Sequence, residues 1–565
     1  MKRIALPMLV AILLAGSVMP CAAKDEKVAV DTAKPVAVLS IASYDRIMSD
    51  VALIGNLAGN PDLDKNIEGM LKLFTQGQGL AGLDQTRPWG ITLTTDGLSF
   101  QPLVFLPVND LKKLLDALAP LIGEAADGGN GVLELTVFNQ KVFVKDQNGW
   151  AFIAQSPEAL AEAPKDPLKL LGGLDKAYDV AVRLHVQNIP ELYRSLAIDQ
   201  LRMGVDAGLG RTPDETDEQY ATRKKLVEGQ IDALTTAINE IDQLTLGAGL
   251  NSEAKSAFID LTVSAVSGTD TAKQFAQAKS ATSRFAGFLA PEAAASMNLT
   301  VQIAKDSTDQ IVAGLQALRG RALQHVEGSD NLKDEASKKL AKDMVSEVFD
   351  AIQKTFESGQ IDAGATVNLG DKTMALVVGA YVSDPASLED ALKKFAKLAE
   401  KEPNFTGIKF DADKHDGVRF HTTSLPVPSD EKIAKIVGGK LDVAVGIGPK
   451  SVYLAVGTDS LKLAKALIDK SKAEASKKQP PFQLNVSLAP IFQFAAALQD
   501  RPDVTAMAEE LAKSKGKDHV SLVVTPLPSG VTIRLEAQEA VLRLLVNAGK
   551  MAAGVGGAGI PAAGQ

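Results

Sequence analysis

Apolar and polar positions along the chain follow one order four times over. A strand runs into a helix at Pro35–Gly59, Tyr178–Asp199, Ala293–Gly320 and Pro481–Asp500. Each is followed, after a helical stretch, by a hairpin running into another helix: Trp89–Phe105, Leu244–Val266, Ile361–Val382 and Val520–Leu535. In the first copy Pro35–Ile41 reads as a strand, Tyr44–Leu57 as a helix, and Leu63, Ile67, Met70, Leu71 and Phe74 recur at helical spacing. Trp89–Thr95 and Leu98–Phe105 flank Asp96-Gly97, a dipeptide suited to a tight turn. Asp110 caps a helix whose Leu111, Leu114, Leu115, Leu118 and Leu121 share one face. Val132–Phe138, Lys141–Lys145 and Trp150–Ala154 form a meander with Asn148-Gly149 at its last turn, and Ser156-Pro157 starts a short helix.

The order up to Val132 is β-α-β-β-α-β, that of a split βαβ or ferredoxin-like unit. The third copy has the same grammar. After its hairpin, Asp384-Pro385 opens a helix with Leu388, Leu392, Phe395 and Leu398, then come Gly407–Asp411, Gly417–Thr422, a helix over Asp430–Val437, and the hairpin Leu441–Val456. The second and fourth copies lack the trailing meander. The expected fold is therefore α+β: tandem ferredoxin-like (split βαβ) blocks with antiparallel sheets, duplicated as two halves, plus two long helical insertions. One insertion begins at the capping box Thr212-Pro213-Asp214-Glu215 and the other covers Gly328–Phe356. The expected divisions are a signal peptide over 1–23, a linker over 24–34, a full block over 35–175 and a short block over 176–290. A second full block over 291–475, a short block over 476–550 and a disordered Ala/Gly tail over 551–565 complete the chain.

The N-terminus changes the picture most. Lys2 and Arg3 precede the apolar run Ile4–Val18, and Cys21-Ala22-Ala23 offers small residues before the charged Lys24-Asp25-Glu26-Lys27. This is the pattern of a secretory signal, the apolar run being short for a membrane span. A lipid anchor at Cys21 is the alternative. Pro20 in front of it disfavours that reading, and cleavage after Ala23 would remove the only cysteine. Cleavage also removes two positive charges, taking the net charge from −9 to −11. No later apolar run reaches the length of a transmembrane helix, and no basic stripe invites nucleic acid. Aromatic residues make up only 5% of the chain, which weighs against a sugar-stacking groove.

Candidate chemistry is sparse. His185, His325, His415, His421 and His519 are scattered, with no pair at metal-binding spacing, and all five are expected to be solvated. The one metal candidate is Asp411-Ala412-Asp413-Lys414-His415-Asp416-Gly417, in which Asp411, Asp413 and Asp416 superficially follow a calcium loop. Glycine is wanted where Asp416 stands and glutamate where Thr422 stands, so a plain turn is the preferred reading. No Gly-x-Ser-x-Gly elbow and no phosphate loop with its lysine occurs. Gly247-Ala248-Gly249 lies inside an expected strand, where glycine marks a bulge or close backbone approach. No catalytic residue and no cofactor is assigned. Trp89 and Trp150, both in the first block, are expected to pack in the core or at an edge.

Gly82–Gly90, Phe105–Leu111, Asn148–Ile153, Tyr178–Leu184 and Gln187–Pro190 together resemble a group of exported, uncharacterised repetitive α+β proteins of planctomycete-type bacteria. The resemblance implies export and a repetitive α+β body. It carries no catalytic residue, cofactor or substrate with it. Duplication without a catalytic constellation leads to the expectation of an exported, non-enzymatic scaffold or binding protein, its partner an unidentified protein or envelope component. A hydrolase with a site assembled between blocks, or a carrier of an apolar ligand, is the alternative.

Overall fold

A computed structural model describes residues 34–555 except 138, 162, 212–214, 304, 330, 331, 333, 371, 372, 403, 404, 428–433, 435–437 and 500. The signal segment, Cys21 and the expected linker to residue 33 thus lie outside the described residues, as do Thr212-Pro213-Asp214 and the expected helix over 430–437, save Ala434. The chain is mixed α and β and falls into two compact units, one running to Thr271 and taking up the chain again from Val546, the other Ala272–Leu545.

In the first unit the strands lie in the order Ala126–Asp127, Val132–Val137, Gln140–Gln147, Trp150–Ala154, Phe100–Pro107, Trp89–Thr95, Lys34–Ile41, Val180–His185, Ile241–Asn251, Ser256–Ala265. In the second unit the order is Lys409–His415, Val418–Pro426, Lys440–Ile447, Ser451–Gly457, Thr373–Tyr381, Gln360–Gly370, Ala295–Gln302, Phe482–Ser487, His519–Leu527, Gly530–Ala537. All these pairings are antiparallel, and the two orders correspond strand for strand. At the middle of each unit two opening strands pair with one another, Leu39 opposite Val182 and Met297 opposite Leu484.

The split βαβ order does not occur. Lys34–Ile41 pairs directly with the next strand, Trp89–Thr95, and no third strand comes between them. The cause is the number of connecting helices. One helix would return the chain to the end where it started and make the next strand parallel. Here two helices, Tyr44–Leu57 and Leu63–Phe74, reverse the chain twice, so the next strand enters from the far end and pairs antiparallel. The same two-helix connection precedes the hairpins Ile241–Ala265, Gln360–Tyr381 and His519–Ala537.

Local chemistry fixes many boundaries. Asp110, Asp334 and Asp384 each accept a hydrogen bond from a backbone N–H three residues on, capping the helices Leu111–Ile122, Glu335–Glu357 and Pro385–Ala399. The long insertion expected over Gly328–Phe356 is thus confined to Glu335–Glu357, and a separate helix, Lys305–Glu327, packs beside it with Arg319 paired to Asp350. Asn148 and Gly149 both adopt positive φ (57° and 75°), as a two-residue hairpin turn requires. The first residues of the expected Ala/Gly tail are helical, and residues 556–565 lie outside the described ones. A helix started by the Glu539–Arg543 pair runs through alanine-rich chain to Val555, alanine being the strongest helix former.

Both faces of the meander in the first unit are covered. Phe105, Trp150 and Phe152 point to one side, against Leu160, Leu171 and Leu174, while Ala151, Val142 and Val144 face the other, under Leu111 and Leu114. In the second unit Phe420, Ala444, Tyr453 and Ala455 lie under Ala464, Leu467 and Ile468 of the helix Ser460–Glu474. Phe285 and Phe288 complete that core. They press on Gly364 and Gly379, where a Cβ would come within 2.6 Å of a ring atom. This packing carries the segment from Ala272 into the second unit, so the division falls at 271 and not at the expected 290.

Candidate functional site

The helix Ser460–Glu474 covers only part of its sheet. Near its middle it lies over Phe420, Ala444 and Ala455, but the strands run on past its N-terminus. The residues that continue the same face are Thr422, Ser424, Asp442 and Lys440, paired Thr422 to Ala444, Ser424 to Asp442 and Pro426 to Lys440. Beyond the first turn of the helix they form the floor of a cleft of about 720 Å³. Its walls include Thr406, Lys409, Asp459, Ser460, Lys462 and Lys465.

Four lysines and two aspartates line this cleft, a local excess of positive charge in a chain whose net charge is −9. Lys465 is paired with Asp413 at 2.5 Å; Lys409, Lys440 and Lys462 have no ion pair among the described residues. Asp442 accepts the Ser424 hydroxyl at 2.6 Å. Asp459 occupies the N-cap position in the left-handed conformation (φ 54°, ψ 18°) and its side chain caps nothing, so the first-turn N–H groups stay open. Ser460 is 2% exposed, and its hydroxyl has no protein partner among the described residues.

Beside the cleft lie the three carboxylates singled out in the sequence, each facing a different cation. Asp411 meets Arg419 at 3.0 Å, Asp413 meets Lys465, and Asp416 meets Lys472 at 2.5 Å. His415 meets Asp469 at 2.7 Å. Lys465, Asp469 and Lys472 are spaced four and three residues apart, one face of a helix, and so bind the edge strand Lys409–His415 alongside. Asp411 and Asp416 both have positive φ, as turn residues do. Among the described residues no group of three or more potential metal ligands comes together.

Behind this edge sits a second cluster. Arg419 forms a fork with both oxygens of Glu389, and its guanidinium holds that carboxyl below its usual range. His421 is buried, not solvated as expected. Its Nδ1 accepts the Asp411 N–H at 2.9 Å, which places the ring proton on Nε2, 3.9 Å from Glu389 Oε1. Burial lowers its pKa. His185 is half-buried and likewise lowered, whereas His325 is exposed.

Two further polar knots escape sequence reading. In the first unit Asp179 accepts the Leu250 N–H at 2.6 Å, pairs with Arg46 and lies against Asp50. Asp50 had a signal: it interrupts the apolar stripe of Ile47, Val51 and Ile54 on its helix. In the second unit Asp362 accepts the Ser283 hydroxyl at 2.5 Å and the Arg284 N–H at 2.9 Å, and Asn298 donates to Ser283 at 2.8 Å. Trp150 is buried edge-on to Phe105 with the Arg87 guanidinium 4.5 Å above its ring, a packing role. Gly247 and Gly249 lie against the rings of Tyr178 and Phe258, close approaches that leave no room for a Cβ.

Among the described residues no helix is long and apolar enough to cross a membrane. The chain matches no known protein-family model, no curated protein and no solved structure.

Proposed function

We propose that this is an exported, non-enzymatic binding or scaffold protein of the cell envelope, built by duplication of an α+β unit. The observation that carries the binding reading is the cleft at the N-terminus of Ser460–Glu474, with its unpaired lysines and open helix N–H groups. Among the described residues its lining holds no histidine, and Asp442 is engaged by the Ser424 hydroxyl. The correspondence of strand orders in the two units supports the duplication, and the residue pattern Lys2–Ala23 supports export.

A hydrolase would draw on Asp50 and Asp179, two adjacent carboxyl groups, with Asp50 pushed up to about 7 by burial and then by the charge on Asp179. Asp179, however, is buried, held by Leu250 and Arg46, and lies outside the cleft, so its role is read as structural.

The test is recovery of the full chain from its native envelope, beside a Lys409→Gln/Lys440→Gln variant. A component retained by the natural chain and lost by the variant is the expected result; identical recoveries defeat the cleft as the binding surface. Mass spectrometry of the recovered chain is expected to give Lys24 as its first residue, and an intact Met1 in the mature chain defeats export.

A further inference from the structure

We infer that the cleft takes an oligoanion carrying two or more phosphate groups. The inference rests on the binding reading above and adds the chemistry of the ligand. Four lysines against two aspartates set its sign. The first turn of Ser460–Glu474 adds the partial positive charge and the unpaired N–H groups of a helix N-terminus, a natural seat for a tetrahedral oxyanion. Ser460, 2% exposed and in the cleft wall, has a hydroxyl that makes no hydrogen bond among the described residues and is free to donate to a ligand.

The lining also says what the ligand is not. Among the described residues no aromatic side chain lines the cleft to stack on a sugar ring or a base. No arginine is present either, and flat carboxylates are commonly gripped by the planar guanidinium fork, whereas lysines act as point charges that suit phosphate. The volume, about 720 Å³, belongs to the range of small-molecule sites and exceeds what one phosphate fills. Thr422 is placed to meet the bridging and ester oxygens of such a chain, whereas the Thr406 and Ser424 hydroxyls already donate, to the Ser424 carbonyl at 2.8 Å and to Asp442 at 2.6 Å. Phosphates of this kind occur in solution or on a lipid surface, and the two sources share this chemistry.

The experiment is titration calorimetry of the full chain with tripolyphosphate at low ionic strength. It is repeated with citrate, a carboxylate of similar charge, and with phosphatidylglycerol vesicles. Saturable 1:1 binding of tripolyphosphate is expected, weakened by about tenfold or more in Lys409→Gln/Lys440→Gln and in Ser460→Ala to a smaller extent. Lys112→Gln/Lys113→Gln, two exposed lysines on the helix Leu111–Ile122, is the charge control and should bind as the natural chain does. Vesicle binding sensitive to the same cleft variants would place the phosphate on a lipid; its absence places it in solution. Equal affinity for citrate, an equal loss in the control, or no saturable binding overturns the inference. If an envelope component is lost from the cleft variant while tripolyphosphate fails to bind, only the phosphate assignment falls. If neither is seen, the binding reading falls with it.

Discussion

The carboxyl group of Asp50 lies against that of Asp179. Asp179 receives the Leu250 N–H and pairs with Arg46. Burial, and then the charge on Asp179, push Asp50 up to about 7 from an ordinary 3.8. A carboxyl raised in the folded state contributes stability that is complete below its unfolded pKa and is lost as pH rises through about 7. The first unit should therefore become more stable between about pH 8 and pH 5. Asp50→Asn, a mimic of the protonated form, should flatten this slope and stabilise the unit at about pH 8 by roughly 1–2 kcal/mol, a figure discounted for partial exposure. Both tryptophans lie in this unit, so urea unfolding followed by their fluorescence reads it directly. A natural chain and variant with parallel pH profiles would refute the raised pKa of Asp50.

His421 should give the second unit the opposite response. Its pKa is lowered by burial, so the folded state favours the neutral ring. That contribution is full above the ordinary value of about 6.5 and is lost as pH falls below it through the lowered folded pKa. His421→Asn keeps an acceptor near the Asp411 N–H but cannot titrate. It should cost about 1–3 kcal/mol at neutral pH and abolish the acid sensitivity of the strand Val418–Pro426, as followed by hydrogen exchange. Retention of that sensitivity in the variant would assign it to another group.

Asp362 ties the Ser283–Arg284 segment into the second unit. Burial raises its pKa, yet two donors hold it in place. Asp362→Ala leaves the Ser283 hydroxyl and Arg284 N–H without their acceptor in a dry site, a loss of roughly 2–4 kcal/mol. Asp362→Asn retains one acceptor oxygen and should cost less. Denaturant midpoints of the two variants decide the matter; equal, small losses would mean that water reaches the site.

The succession of strands and helices was legible because capping residues, Asn-Gly and Asp-Gly turns and apolar periodicity are local signals. Asp110, Asp384 and Asn148-Gly149 act where the sequence places them. Pairing was not local. Whether Lys34–Ile41 meets Trp89–Thr95 directly depends on how many helices intervene, and the helix Leu63–Phe74 alone turned the order from split to adjacent. The site was hidden for a related reason. Lys409, Lys440 and Lys462 are ordinary surface lysines in the sequence, and only the strand register and the end of one helix bring them together. Asp411, Asp413 and Asp416 were conspicuous, but their partners Lys465 and Lys472 lie on a helix some fifty residues away.

Gly364 and Gly379 face each other across a strand pair under Phe285 and Phe288. At Gly364 a Cβ would sit 2.6 Å from Phe288 Cγ and 2.9 Å from Phe285 Cβ, atoms near the backbone that cannot swing aside. Gly364→Ala should destabilise the second unit by about 1–3 kcal/mol through overpacking. Combining it with Phe288→Ala, which removes Cγ, the nearest clashing atom, should cost less than the sum of the two single losses; calorimetry of the single and double variants measures the coupling. Strict additivity would locate the strain elsewhere.

Calcium should leave the thermal midpoint of the natural chain unchanged at about 1 mM. A calcium loop stabilises by converging several oxygens on one ion, and the gain appears as an upward shift of the midpoint with ligand concentration. Here Asp411, Asp413 and Asp416 are directed to three separate cations. Lys465→Ala with Lys472→Ala would remove two of them and leave Asp413 and Asp416 without those partners. These pairs are partly exposed, so their loss should cost no more than about 1 kcal/mol each and should be smaller at high salt. A calcium-dependent rise in the natural chain would show that the carboxylates release their lysines to converge, and would restore the metal reading. A rise only in the double variant would show that the lysines occupy the place a cation would otherwise take.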